Sequence, residues 1–118
     1  MDDEYCVKLS DDTGKLLLSY ALDIGAEMLV NGAEISRVED SISRICKAYG
    51  AKEINVFSIP YVILVTIYCE NEGYITQSRR IESFKYDLYK LEYLNSLSRN
   101  ICRIKPDIKS IKDDIKRI

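Results

Sequence analysis

Hydrophobic positions along this chain of 118 residues change period in the middle, which separates helical from strand-forming segments. Residues 15–30 are apolar on almost every side of a helix, which predicts a central helix covered on more than one face. Residues 36–49 carry one narrow apolar seam instead, which predicts a helix with its other faces in water. The seam consists of Ile35, Val38, Ile42, Ile45 and Tyr49.

Two strands are predicted after this second helix. Residues 53–58 and 61–69 are rich in β-branched and aromatic side chains, and Pro60 interrupts the run between them. The second of these segments is apolar on both faces. That pattern favours a central position in a sheet.

A third strand is predicted to return as the second arm of a hairpin. Residues 70–73 form a turn signal, and residues 74–81 alternate in the manner of a strand. Strand alternation places Arg79 and Arg80 on opposite faces, so one of the two arginines is expected to face outward.

The last third of the chain predicts two further helices. A long one is expected from about Asp87 to Arg103, and Pro106 fits the first turn of the next. In this fourth helix isoleucines repeat among lysines, and so thin a stripe gives an isolated helix little stability. The stripe is expected to pack back on the domain, to pair with a second copy, or to continue toward a membrane span.

Two helices, three strands and two helices without alternating crossovers predict an α+β fold, with a small, mainly antiparallel three-stranded sheet packed with about four helices in the order ααβββαα. The chain is 47% hydrophobic and 31% charged, which suits one core. We expect a flexible acidic leader at residues 1–12 and a single domain at residues 13–118.

Composition removes several classes of function. No run of eighteen uncharged apolar residues occurs and the start is acidic, so the chain is expected to be neither membrane-spanning nor secreted. The four cysteines form no C-x-x-C pair and histidine is absent, so no metal or cofactor is expected. The acidic isoelectric point, about 5.2, and the lack of a recognition motif disfavour nucleic acid as a partner.

The net charge of −2 conceals an uneven distribution, with acids concentrated in residues 1–40 and bases in residues 99–118. Such a basic end is either solvated or suited to an anionic membrane surface. The candidate membrane-proximal basic segment consists of Arg99, Arg103, Lys105, Lys109, Lys112 and Lys116.

A densely charged corner lies between the first two predicted helices. The dipeptide Asn31-Gly32 is typical of a helix end, and Ser36-x-x-Glu39 has the form of a capping box. Glu34 is expected to pair with Arg37 three residues later, whereas Glu39 is expected in the first turn of the second helix, together with Asp40.

This corner and the third strand supply the candidate site. Two interpretations remain open: an ion-pair network that locks the elements together, or a ligand site in which guanidinium groups bind a carboxylate and Glu39 binds an ammonium group. The candidate residues are Glu34, Arg37, Glu39, Arg79 and Arg80.

Several segments occur in an order that is more specific than any one of them. They are Gly32-Ala33-Glu34-x-x-Arg37-Val38-Glu39-Asp40, Ile54–Pro60, Thr76–Ile81, and Asp87–Arg99 with its Asn95 and Leu97-Ser98-Arg99. Together they resemble the soluble N-terminal domain of the threonine/serine exporter family. The resemblance implies a cytosolic domain that precedes the membrane spans of a bacterial exporter of small amino acids or, in some relatives, dicarboxylates.

This resemblance implies an accessory, gating or substrate-sensing role at the cytoplasmic side of the inner membrane. The implied partners are a membrane-spanning part in the same or a companion chain and further copies in a homo-oligomer. The alternatives are a stand-alone soluble oligomeric interaction module and, third, a small hydrolase that uses carboxylates of the corner on an amino-acid derivative. We expect no enzyme, because a histidine base, a G-x-S-x-G motif and a glycine-rich phosphate loop are all lacking.

Overall fold

The elements of the fold follow the change of period in the sequence. The structure, a computed structural model, describes residues 13–70 and 72–118, so the predicted leader at 1–12 lies outside the described residues. The order ααβββαα and the antiparallel sheet confirm the predicted α+β fold. The elements are α1 (Thr13–Val30), α2 (Ile35–Ala48), β1 (Lys52–Ile59), β2 (Val62–Cys69), β3 (Gly73–Arg80), α3 (Leu88–Ile104) and α4 (Ile108–Lys116).

The sheet has the order β1-β2-β3, and both pairs are antiparallel. The strand predicted to be central, β2, is therefore central. In the register, Leu64 lies opposite Phe57 on one side and Ser78 on the other. A bulge interrupts the start of β1, where Glu53 has a φ of 43°. Such a bulge increases the local twist at this corner of the sheet.

Helix α1 occupies the centre of the molecule. It contacts α2, α3 and α4 as well as β2 and β3, which explains why its apolar residues surround the helix. The prediction of a helix covered on more than one face is confirmed. Its buried apolar side chains are Leu17, Leu18, Ala21, Leu22, Ile24, Met28 and Leu29.

Helix α2 packs along its predicted seam. Val38, Ile42, Ile45 and Tyr49 are all buried, while Asp40, Arg44 and Lys47 on the other side of the helix are exposed. The helix contacts α1, α3 and β1. Its apolar seam therefore covers one side of the core, and its polar residues lie on the opposite side of the helix.

The isoleucine stripe of α4 packs back on the domain, the first of the three outcomes that the sequence allows. Ile108 and Ile111 are buried, and α4 contacts α1. The hydroxyl of Tyr49, at the end of α2, donates to the carbonyl of Pro106 just before α4. These contacts give a short amphipathic helix the stability that it lacks alone.

Candidate functional site

A groove of about 430 Å³ lies between α2 and α3, and arginines dominate its walls. Residues three or four apart lie on the same side of a helix, so each helix presents one polar stripe toward the other. Helix α2 contributes Arg37, Asp40, Ser41 and Arg44, and α3 contributes Asn95, Ser98, Arg99, Cys102 and Arg103.

The groove carries an excess of positive charge. Arg44 Nε donates to Asp40 Oδ2 at 2.7 Å, which uses the one carboxylate of the lining. Arg99 and Arg103 bond neutral side chains of their own helix, and within the described part of the chain Arg37, Arg99 and Arg103 form no ion pair. Three guanidinium groups are therefore available to an anion, and their mutual repulsion favours binding one.

A smaller pocket of about 180 Å³ adjoins this groove at the start of α2 and shares Arg37 and Asn95 with it. Glu34 lines this pocket and is exposed. The predicted pair of Glu34 with Arg37 is absent from the ion pairs of the described residues. A carboxylate thus stands at one end of the groove and the unpaired guanidinium groups extend away from it.

The predicted capping box is wrong. Helix α2 begins at Ile35 with Glu34 as its N-cap, so Ser36 lies inside the first turn. Ile35 belongs to the apolar seam and packs against the core. The helix therefore begins at Ile35, before the predicted capping serine. Glu39 and Asp40 consequently lie beyond the first turn rather than in it.

Glu39 binds the backbone of the sheet. Its Oε2 accepts a hydrogen bond from Ser58 N at 2.9 Å, and Ser58 is buried near the outer edge of β1. This bond satisfies a backbone donor that the sheet ladder does not reach. Glu39 therefore joins α2 to β1 through a hydrogen bond to the backbone.

Glu39→Ala is expected to lower the free energy of unfolding by about 1–3 kcal/mol, because it leaves the buried N–H of Ser58 without an acceptor. Equilibrium unfolding in urea would measure the change. Glu39→Gln is the matched control, because its amide oxygen can still accept the bond and most of the stability should remain. Equal losses in both variants would contradict this role of the hydrogen bond.

The two strand arginines lie on opposite faces, as predicted. Arg79 Nε donates to Asp23 Oδ1 at 3.0 Å, and its Nη2 donates to Ser19 Oγ at 2.8 Å, so it joins β3 to α1. Arg80 is exposed on the face turned away from the helices. The candidate residues therefore do not form one cluster: two border the groove, two make structural bonds, and Arg80 stands apart.

The predicted basic segment also divides. Arg99 and Arg103 line the groove, whereas Lys105 ends α3 in the left-handed conformation with a φ of 52°. The remaining lysines, Lys109, Lys112 and Lys116, are exposed along α4. The segment thus consists of a groove wall followed by a lysine-bearing helix.

Sequence reasoning missed Arg44 and Cys102 as members of this site. The spacing of seven residues between Arg37 and Arg44, and of four between Arg99 and Arg103, is the signal that could have shown two facing stripes. Burial raises the pKa of the Cys102 thiol, although Arg44 opposes this shift. Cys102 is only partly buried, so labelling of its thiol can be used to follow binding in the groove.

Comparison with known proteins identifies the family. A sequence model described as Putative threonine/serine exporter (ThrE) matches residues 19–118. The chain belongs to this family. No curated protein and no solved structure matches it significantly. The resemblance noted in the sequence is confirmed, and the family links the chain to amino acid transport.

Two further features are absent from the described residues. None of their helices combines the length and the apolar composition needed to cross a membrane. Nor do the acidic and cysteine side chains of residues 13–70 and 72–118 form a group that could hold a metal ion.

Proposed function

We propose that this chain is the cytoplasmic, ligand-sensing part of an exporter-related protein, and that a solute bearing carboxylate groups binds in the groove between α2 and α3. The membrane-spanning part would lie in the same or a companion chain at the inner membrane. The observation that carries the proposal is the set of three guanidinium groups without a carboxylate partner among the described residues.

The lining suggests how such a solute would be held. Arg37 stands between Glu34 on one side and the arginines of α3 on the other, since it borders both pockets. A guanidinium fork binds a carboxylate through two parallel hydrogen bonds. An amino acid would place its carboxylate at Arg37 and its ammonium group at Glu34. A dicarboxylate would place its second carboxylate at Arg99 or Arg103.

The charge balance favours the dicarboxylate. Four arginines face Glu34 and Asp40, and Asp40 is already paired with Arg44. A doubly negative ligand neutralises more of this excess charge than a zwitterion does. We therefore expect succinate to bind more tightly than threonine, with both held by the same arginine.

A bound anion would also act on the arrangement of the helices. The arginines of the groove repel one another across α2 and α3, and a ligand that bridges them removes this repulsion. Helix α4 follows α3 after a link of three residues and carries exposed lysines. Lysines beside a membrane are favoured on its cytoplasmic side. Closure of the groove would thus be transmitted to the membrane-facing end of the domain.

Calorimetric titration at low ionic strength tests the proposal. Succinate is expected to bind, and Arg37→Gln to weaken binding about tenfold or more, because the lost bonds to a charged ligand are worth about 1.5–3 kcal/mol. Arg80→Gln is the matched control, since this exposed arginine lies outside the groove lining. Equal affinity in the two variants, or no binding of either succinate or threonine, would contradict the proposal.

The thiol of Cys102 provides a second readout of the same titration. In a Cys6→Ser variant, the partly buried Cys102 should react with a thiol reagent before the buried Cys46 and Cys69. Burial raises the pKa of the Cys46 thiol to about 12, which makes it unreactive near neutral pH. Succinate should slow the labelling of Cys102 in the background that retains Arg37, and leave it unchanged in Arg37→Gln.

A further inference from the structure

One face of the sheet is left uncovered by the described helices. Helices α1 and α2 pack on the face that carries Ile63, Val65 and Ile67, all of which are buried. On the opposite face Phe57 is 58% exposed and Leu64 is 43% exposed, although both lie within strands. Antiparallel sheets often have one solvated face, but its residues are then usually polar.

Uncharged side chains fill most of the uncovered face. At one end Lys52 lies opposite Tyr68, and its Nζ pairs with Glu70 Oε2 at 3.2 Å. Thr66 and Thr76 share a hydrogen bond of 2.7 Å at its middle, and the rings of Tyr68 and Tyr74 lie 4.9 Å apart toward one end. From strand alternation and register, its uncharged members are Asn55, Phe57, Ile59, Val62, Leu64, Thr66, Tyr68, Tyr74, Thr76 and Ser78.

Two opposite charges mark diagonally opposite corners of this face. Tyr74 donates to Glu53 Oε1 at 3.1 Å, so the Glu53 carboxylate lies above the face at the start of β1. Arg80 lies at the end of β3 and is exposed. Because β1 and β3 are the two edge strands and run in the same direction, these residues occupy opposite corners.

We propose that this face binds a second copy of the chain. The two sheets would stack face to face about a two-fold axis, with Glu53 of each copy against Arg80 of the other. A two-fold axis in the plane of the contact, perpendicular to the line from Glu53 to Arg80, brings these corners together twice. The centre of the contact then lies near Leu64 and Thr66.

A second copy suits this face better than a partner of other chemistry. A two-fold interface joins identical patches, so the patch must complement itself, and a mostly uncharged face with opposite charges at its diagonal corners does so. A membrane surface or another anionic partner would favour a basic patch. On this face Glu53 and Arg80 have opposite charges and Lys52 is paired with Glu70, so the charges balance, and the lysines of α4 lie elsewhere.

The size of the face sets the expected strength of association. Three strands of eight residues cover roughly 14 by 26 Å, about 370 Å² in projection, from ordinary strand spacing and rise. This is about 740 Å² for the two partners together, which is below the usual size of stable specific interfaces and in the range of weak, transient complexes. The dimer is therefore expected to form in the micromolar range rather than to be obligate.

Sedimentation equilibrium of the full chain, from micromolar to near-millimolar concentration, tests this arrangement. We expect a monomer–dimer equilibrium that weakens about tenfold or more in Glu53→Arg and in Arg80→Glu, because each variant alone opposes like charges at both corners. An equimolar mixture of these two variants should recover association, since every corner then meets an opposite charge. Arg117→Glu, outside the sheet, is the matched control and should leave association unchanged.

A substitution at the centre keeps the test independent of the corner charges. Thr66→Arg, at an outward-facing strand position, should abolish association while leaving the circular dichroism spectrum and the melting temperature close to those of the unmodified chain. Three results would overturn the proposal: a monomer at every concentration, a dimer insensitive to Thr66→Arg, or no recovery in the mixture of Glu53→Arg with Arg80→Glu. Because none of these variants touches the groove, succinate binding should persist in all of them.

Discussion

Asn31→Asp is expected to lower the free energy of unfolding by about 3 kcal/mol at neutral pH, because it buries an unpaired charge. Asn31 is fully buried at the end of α1. Its Nδ2 donates to the carbonyl of Glu27 at 2.8 Å, and its Oδ1 accepts from the backbone N–H of Asp87 at 3.2 Å. The introduced carboxylate would keep the second bond, but it would face the Glu27 carbonyl without a proton to donate.

The pH dependence of the stability loss distinguishes the effect of the buried charge from the effect of the altered hydrogen-bond geometry in this variant. Burial and the negative end of the α1 dipole raise the folded pKa of the introduced carboxyl above its unfolded value of about 3.9. The stability loss is therefore small below that unfolded value and grows as the pH rises toward the folded pKa. Urea unfolding at pH 4 and pH 7, compared with the unmodified chain at each pH, would measure it.

Asn100→Asp is the matched control, because it makes the same chemical change on the exposed side of α3. Its new carboxylate lies beside Arg103, with which Asn100 already shares a hydrogen bond of 2.9 Å. We expect less than about 0.5 kcal/mol of change there. A loss in Asn31→Asp that is equal at both pH values would assign the effect to lost geometry rather than to buried charge.

The fold was predictable from periodicity because each element has a distinct environment. The all-round apolar pattern of α1 and the single seam of α2 report how many sides of each helix are covered. The β-branched run of β2 with apolar residues on both faces identified the central strand, although Leu64 on its outer face remains exposed. The sequence pattern therefore identified the central strand correctly but could not show that no described helix covers the other face of the sheet.

The candidate site was predictable only in part, because it depends on contacts between distant segments. Arg37 and Arg99 are 62 positions apart in the chain and meet only because α2 and α3 pack side by side. The capping box predicted from the local motif Ser36-x-x-Glu39 was wrong for a related reason. Packing of Ile35 moved the helix start, and Ser58 N became the partner of Glu39. Local hydrogen-bonding rules yield when core burial competes with them.

Gly25 is the position where the close approach of α1 and α2 leaves least room. Glycine inside a helix costs about 1 kcal/mol relative to alanine, so its presence in the middle of α1 requires a reason. A Cβ at this position would lie 2.5 Å from Ile42 Cδ1 and 2.7 Å from Ile42 Cγ1. Both distances are well below van der Waals contact. A larger residue here therefore requires either the Ile42 side chain to shift or the two helices to move apart.

Gly25→Val is expected to lower the free energy of unfolding by about 3 kcal/mol or more, because overpacking forces the helices apart. Ile42→Ala alone should cost about 2–5 kcal/mol through the cavity it leaves. The double variant exchanges three carbon atoms across the contact, so its cost should fall below the sum of the single costs by about 1–3 kcal/mol. Urea unfolding of all four proteins would measure this coupling. Strictly additive costs would mean that Ile42 does not determine the requirement for glycine, and that the helices adjust elsewhere along their contact.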